Sequence, residues 1–270
     1  MNKSIVFFDI DGTIWDYKNE IPASTVKGIQ ALHQNGHYAF LCTGRTKATI
    51  RARELLDIGF DGIIAGCGTY IEYHGEVLIN LLLPWSQIQD LVPAMKQKGI
   101  GAFLEGCDKL YIDWDYYEGS DYAESFRKEL KEDCLPIEAV TESSRINKIS
   151  IEYLSNLPEQ EVLDVFGKEY HVIIHDFTNP DGTPLNVAEI IPMGYSKATG
   201  IKWICNHLNI ALENTYAFGD SANDIQMLEY VHCGVAMGNA SETTKRIADY
   251  VTTDMYDDGI WNGLKHLGLI

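Results

Sequence analysis

Four short stretches of this 270-residue chain gather side chains able to do chemistry. In Phe7-Phe8-Asp9-Ile10-Asp11-Gly12-Thr13, two carboxylates stand two residues apart where an apolar run ends, so both can face one side at the carboxyl edge of a sheet. Leu41-Cys42-Thr43-Gly44-Arg45 puts a hydroxyl and a glycine after a second apolar run, where a hydroxyl and helix-start N–H groups can hold phosphate oxygens. Ala217-Phe218-Gly219-Asp220-Ser221-Ala222-Asn223-Asp224 sets Asp220 and Asp224 across a turn, and carboxylates converging from separate strand ends suit a hard cation with oxygen ligands. Gly194-Tyr195-Ser196-Lys197 opens a helix with a lysine, unfavourable against the local dipole by ~0.3–1 kcal/mol, and a local rule broken there points to function. Taken singly, each stretch also reads as an acidic turn, a helix cap or a solvated lysine.

Charge ties them together. If Asp9, Asp11, Asp220 and Asp224 converge on Lys197 alone, the site is strongly negative, and two unit charges at 4 Å repel by ~4 kcal/mol at an effective dielectric near 20. Such a site holds a phosphate dianion only with a divalent metal, and Mg²⁺, which takes one or two carboxylates plus water and phosphate, fits. Among these carboxylates Asp11 is expected to carry a proton for part of a reaction cycle.

The elements that must position these residues alternate. Strands are expected over Ser4–Phe8, Tyr38–Cys42 and Gly62–Ala65, with helices over Pro22–Gln34 and Lys47–Leu56 between them, the pattern of a doubly wound parallel sheet. Tyr70–Leu83 alternates around His74-Gly75 as a hairpin, and Pro84 opens something new. From there the pattern is α+β: helices at Gln87–Gln97, Tyr122–Lys131 and Pro158–Gly167, and strands at Gly101–Glu105, Lys109–Trp114, Lys148–Tyr153, Tyr170–His175 and Asn186–Ile190. After Pro192 the doubly wound rhythm returns, with helices at Lys197–Asn206, Asn223–Glu229, Glu242–Ile247 and Gly259–Leu267 and strands at Thr215–Phe218 and Gly234–Ala236. The fold class is therefore α/β: a mostly parallel Rossmann-like core over residues 1–83 and 190–270, split by an inserted α+β cap over 84–189.

Composition narrows the partners. Apolar residues at 46% and charged residues at 22% supply an ordinary globular core. The net charge of −18 would repel nucleic acid and an anionic membrane leaflet alike, and any site for a phosphorylated compound must concentrate positive charge locally. The six cysteines form no C-x-x-C pair and read as reduced thiols. The N-terminus has no leader pattern and no apolar run spans a membrane, so a cytoplasmic protein is expected.

With these residues in view, the chain resembles the haloacid dehalogenase-like (HAD) phosphohydrolases, in particular the Cof-type branch with a large α/β cap. D-I-D-G-T at Asp9–Thr13, T-G-R at Thr43–Arg45, Ser196-Lys197 and G-D-S-A-N-D at Gly219–Asp224 stand in the family's order, and the tail Gly234–Ala240 also looks like that branch. The resemblance implies that Asp9 attacks phosphorus and ligates Mg²⁺, and that Asp11 protonates the leaving group, activates water and lends its carbonyl to the metal. Thr43 and Gly44 would hold the transferring phosphoryl oxygens, and Lys197 would offset charge on nucleophile and phosphate. Asp220 would bind Mg²⁺ directly, Asp224 would orient a metal water or Lys197, and Asn223 would touch phosphate. Two departures stand out: Ser221 where glycine is common, tolerable if φ stays negative, and Cys67-Gly68-Thr69 where Asn-Gly-Ala is usual.

The expected activity is hydrolysis of a small phosphorylated metabolite, with sugar phosphates favoured and nucleotides or phosphorylated cofactors behind them. The acidic aromatic run Tyr111–Glu118 in the cap is a place for leaving-group selection, or an ordinary strand and turn. A phosphomutase or phosphotransferase sharing the same phospho-aspartate, and a non-catalytic phosphate-binding regulator, are the rival readings. A dinucleotide-dependent oxidoreductase would need G-x-G-x-x-G after the first strand, which is absent.

Overall fold

The structure, a computed structural model, describes residues 3–178 and 184–270. The first two residues of the expected leaderless N-terminus, and 179–183 within the expected cap, lie outside the described residues. The chain forms two compact units, one of residues up to Gly44, Arg51–Ile79 and Tyr195–Ile270, the other of Arg45–Ile50 and Asn80–Gly194.

These limits differ from the expected breaks after 83 and 189. The second unit begins at Asn80 because residues 80–83 are bound to its sheet: Asn147 Nδ2 donates to Asn80 Oδ1 at 2.8 Å and to the Leu81 carbonyl at 2.7 Å, and Leu83 N–H donates to Ile146 at 2.7 Å. It ends at Gly194 because its last strand runs on to Pro192.

Numbered in chain order, the first unit contains strands β1 (Ile5–Phe8), β2 (Tyr38–Cys42), β3 (Gly62–Ala65), β4 (Tyr70–Tyr73) and all but the last residue of β5 (Glu76–Asn80). After the second unit it resumes with β12 (Thr215–Gly219), β13 (Cys233–Ala236) and β14 (Tyr250–Val251). They form one sheet in the order β14-β13-β12-β1-β2-β3-β4-β5, parallel from β14 to β3, with β4 antiparallel to β3. All four residues of β1 are fully buried, as an uninterrupted apolar run in a doubly covered parallel strand must be. Helices α6 (Lys197–Leu208) and α7 (Ile225–Tyr230) bury Ile201, Ile204, Met227 and Leu228 against Ile5, Phe7 and Phe40. On the other face, α1 (Ala23–Gln34) packs on α9 (Gly259–His266), and α9 lies over Phe218, which stacks on Phe8 at 5.3 Å. The expected hairpin turn has both His74 and Gly75 at positive φ, the combination a two-residue I′ turn needs.

The expected helix over Lys47–Leu56 does not form as one. The chain makes a single 3₁₀ turn at Lys47–Thr49, breaks at Ile50, and then forms only α2 (Arg53–Leu56). Thr49 turns its hydroxyl back to the Thr46 carbonyl at 3.0 Å, and Ala48, Thr49 and Ile50 are buried. A β-branched, threonine-rich stretch offered a local bond and a tertiary contact gives up helix readily.

The second unit holds α3 (Trp85–Lys98), α4 (Asp121–Leu130) and α5 (Glu159–Phe166). Its strands are β6 (Ile100–Gly106), β7 (Leu110–Ile112), β8 (Cys134–Pro136), β9 (Ile146–Tyr153), β10 (Tyr170–Thr178) and β11 (Pro184–Pro192). They pair in the order β10-β11-β9-β6-β7-β8, antiparallel except for β7 with β8, a short strand not foreseen in the sequence. One face is apolar, where Leu104, Ile149, Ile151 and Ile190 pack with Ile88 and Val162 of α3 and α5. The opposite face carries charge: Lys148 bonds Glu189 and stands 3.4 Å from Glu105, all three buried. Among the described residues no helix is long and apolar enough to cross a membrane.

Candidate active site

In the first unit the chain leaves β1 toward β2 and β3, and later returns on the opposite side with β12, so the strand order reverses between β1 and β12. Such a reversal, beyond the carboxyl ends of the strands, is where open α/β sheets bind ligands. Phe8 pairs with Leu41 on one side and Phe218 on the other. Asp9–Asp11, Thr43-Gly44 and Gly219-Asp220 therefore leave the same edge side by side. Asp9 N–H donates to the Phe218 carbonyl at 3.0 Å, extending the ladder by one residue and fixing the nucleophile candidate at the switch point.

Lys197 reaches the same place from the start of α6. Ser196 caps that helix, its hydroxyl accepting from Thr199 N–H at 3.2 Å while the Thr199 hydroxyl accepts from Ser196 N–H at 2.9 Å. The reciprocal cap holds the first turn, and with it the lysine, whose side chain is 0% exposed. Its Nζ lies 2.6 Å from Asp9 Oδ1, 2.6 Å from Asp224 Oδ1 and 3.1 Å from Asn223 Oδ1. The lysine that breaks the dipole rule is thus held by two carboxylates and an amide.

Asp224 is fully buried, and both its oxygens are engaged. Oδ1 takes Lys197, and Oδ2 accepts from the backbone N–H groups of Asp220 and Ser221, each at 3.0 Å. The turn that presents Asp220 is wound around this carboxylate. Ser221 sits at φ −122°, so a side chain in the usual glycine position costs nothing in backbone strain.

Gly12, at φ +80°, passes so close to Asp220 that a Cβ there would lie 2.3 Å from Asp220 Oδ2. Thr13 donates to Asp220 Oδ1 at 3.1 Å, and Asn239 Nδ2 donates to the Gly12 carbonyl at 2.7 Å. Neither side chain was among the site residues expected from sequence, although Thr13 ends the D-I-D-G-T run and Asn239 lies in the Gly234–Ala240 tail. Asp11 is the exposed member of the pair, its Oδ1 accepting from Trp15 Nε1 at 2.9 Å. Thr43 and Gly44 are buried at the end of β2, where Thr43 N–H donates to Ile64 and its carbonyl accepts from Cys67 N–H at 3.1 Å. Cys67, standing where the branch commonly has asparagine, takes a left-handed conformation at φ +52°, which asparagine would adopt more readily. Gly68 follows at φ +90°, a Cβ there falling 2.4 Å from the Ser196 carbonyl, so this loop abuts the start of α6.

The electrostatics follow from burial. Asp9 holds its proton far above the usual carboxylate range, first because it is buried and then because Asp224, Asp220 and Asp11 repel its charge, with Lys197 pulling the other way. Asp220 is pushed up to about 7 by burial and by Asp224. Burial works to strip Lys197 of its proton, but Asp224 and Asp9 outweigh it and hold the ammonium charged well above its ordinary value. Carboxylate oxygens of Asp9, Asp220 and Asp224 lie within 4.8 Å of one another, a group able to hold a metal ion. A second acidic group, Asp113, Asp115 and Glu138 in the other unit, surrounds Lys96 Nζ at 2.6–3.6 Å, so a side-chain cation already meets its charge.

A parallel sheet with a lysine-bridged carboxylate pair at its switch point, set beside the relatives below, defines an α/β enzyme of the phosphatase class. Residues 6–264 match the haloacid dehalogenase-like hydrolases, and the chain belongs to that family. YkrA of Bacillus subtilis is 31% identical over the full length of both chains. YitU of the same organism, a 5-amino-6-(5-phospho-D-ribitylamino)uracil phosphatase, is 27% identical over 97% of this chain and 96% of its own. The crystallographically known sugar phosphatase BT4131, of HAD subclass IIB, superposes with a TM-score of 0.79 at 28% identity over 99% of this chain and all of that one.

Proposed function

We propose that the chain hydrolyses the phosphomonoester of a small phosphorylated metabolite with Mg²⁺, carrying the phosphoryl group transiently on Asp9. The observation that carries this reading is Lys197, buried and 2.6 Å from both Asp9 and Asp224. A phosphate binder gains nothing from burying acids beside its anion, whereas a nucleophilic carboxylate needs a cation fixed beside it.

The donor set fits a hard divalent ion. All the donors are oxygens, a single lysine balances several carboxylates, and Asp9 and Asp220 both resist ionisation in this charge-deficient pocket. Asp9, Asp220 and the Asp11 carbonyl would hold Mg²⁺, which when bound neutralises the phosphate's charge and that of its transition state. Asp224, with both oxygens engaged in the protein, serves as the anchor of Lys197 and of the Asp220 turn rather than as a direct ligand.

In the first step an Asp9 carboxylate oxygen bonds phosphorus while Asp11 gives a proton to the departing ester oxygen. In the second, Asp11 takes a proton from water, whose oxygen bonds phosphorus and frees Asp9. Thr43 and the Gly44 N–H steady the phosphoryl oxygens through both, with Asn223 beside Lys197. Splitting one very slow displacement into two stabilised ones is the gain.

Sugar-like hydroxylated alcohols are the leaving groups we favour. BT4131 is named a sugar phosphatase, the YitU substrate carries its phosphate on a ribityl chain, and a net charge of −18 suits a small substrate better than nucleic acid. A panel of phosphorylated sugars, sugar alcohols, nucleotides and cofactors assayed with Mg²⁺ tests this reading. Release of phosphate fastest from sugars or sugar alcohols is expected, whereas turnover that survives EDTA would sink the metal-dependent mechanism.

A further inference from the structure

The chain folds back on itself just after Asp9. The N–H groups of Ile14 and Trp15 both return to the Ile10 carbonyl, at 2.9 and 3.1 Å, and Gly12 N–H donates to the Trp15 carbonyl at 2.8 Å. This tight loop buries the Trp15 ring, 2% exposed, beneath the exposed carboxylate of Asp11. From there the indole Nε1–H donates to Asp11 Oδ1 at 2.9 Å. The loop is also fastened beyond the tryptophan: Asp16 accepts from the Tyr256 hydroxyl at 2.6 Å and from the N–H groups of Lys18 and Glu20 at 2.9 Å each. One oxygen of the exposed Asp11 carboxylate is thus tied to a ring held in the core.

The kind of donor matters. An indole N–H donates and cannot accept, so the oxygen it holds cannot point a proton back at it. With Oδ1 serving as the acceptor, the arrangement favours Oδ2 as the oxygen that carries the proton Asp11 gives and takes.

We propose that Trp15 is a positioning residue for Asp11, fixing its carboxyl group through Oδ1 so that Oδ2 faces the reacting oxygens; this rests on the reading of Asp11 as acid and base given above. As the Asp9–phosphorus bond forms and the ester bond breaks, the Oδ2 proton moves to the departing alkoxide oxygen. In the second half, Oδ2 receives the proton of the water whose oxygen displaces Asp9 from phosphorus.

The test uses the leaving group. p-Nitrophenolate departs without being protonated, whereas the alkoxide of a sugar phosphate does not, and kcat/KM reports the first transfer alone. In Trp15→Phe we expect kcat/KM for a hexose 6-phosphate to fall about 10- to 100-fold more than kcat/KM for p-nitrophenyl phosphate, the scale of a misplaced general acid. Asp11→Asn, run in parallel, should discriminate in the same direction and more strongly. Equal losses on the two substrates in Trp15→Phe, with discrimination retained in Asp11→Asn, overturn the role of Trp15. Absence of discrimination in Asp11→Asn instead overturns the reading of Asp11. Thermal melting reports whether Trp15→Phe is folded, and Trp15→Met, which also lacks the donor, takes its place if it is not.

Discussion

Lys197 shows how much one side chain is asked to do at this site. It is fully buried, it compensates Asp9 and Asp224 at once, and Asp224 in turn organises the turn that carries Asp220. Removing one partner of a buried ion pair leaves an uncompensated charge, at a cost of about 3–5 kcal/mol. Lys197→Met should therefore lower the melting temperature by several degrees as well as abolish turnover. Because the variant site is the more negative of the two, added Mg²⁺ should raise its melting temperature more than that of the parent. A variant that melts like the parent would contradict the geometry described for Lys197.

Elements place these residues, and much of that placement was legible in the sequence. The carboxylates, the Thr43-Gly44 pair and the Asp220 turn all follow short apolar runs, and a strand end is where pattern and chemistry coincide. The strand-helix alternation disclosed the parallel sheet, and the helix start at Lys197 was expected, although the Ser196 cap that holds it is seen only in the structure. What could not be read was tertiary. The Lys47–Leu56 pattern fits a helix, but Arg45–Ile50 folds with the second unit, where the Thr46 hydroxyl reaches Glu105 at 3.3 Å. Nor does any periodicity show that the Trp15 ring turns back to Asp11, or that Asn239 reaches the Gly12 carbonyl. The cap of α6 gives the prediction at this scale. Ser196→Ala should cost about 0.5–2 kcal/mol by chemical denaturation, and should reduce kcat as the first turn loosens around Lys197. Unchanged activity would separate the cap from the lysine's position.

At the scale of the whole molecule, two units of different design share one chain, and each hides charge in its own way. In the second unit Glu189 is buried, which opposes ionisation, yet Lys148 and His175 outweigh burial and hold it well below the ordinary value of 4.5. A carboxylate depressed in the folded state stabilises that state above its unfolded pKa, and the contribution disappears as pH falls from about 4.5 through the lower folded value. Glu189→Gln should thus be less stable than the parent at pH 7, with the difference narrowing in acid below that point. Thermal melts across pH check it, and a gap that widens in acid would reverse the sign. The first unit hides its charge around Lys197, and the proposed mechanism requires Asp9 to carry the phosphoryl group. Its most direct test is intact-protein mass spectrometry of acid-quenched enzyme during turnover. We predict one added phosphoryl group, mapped to Asp9, present in the parent and in Asp11→Asn and absent in Asp9→Asn, which is also inactive. Full hydrolysis by Asp9→Asn, or turnover with a phosphoryl group found on another residue, would contradict it.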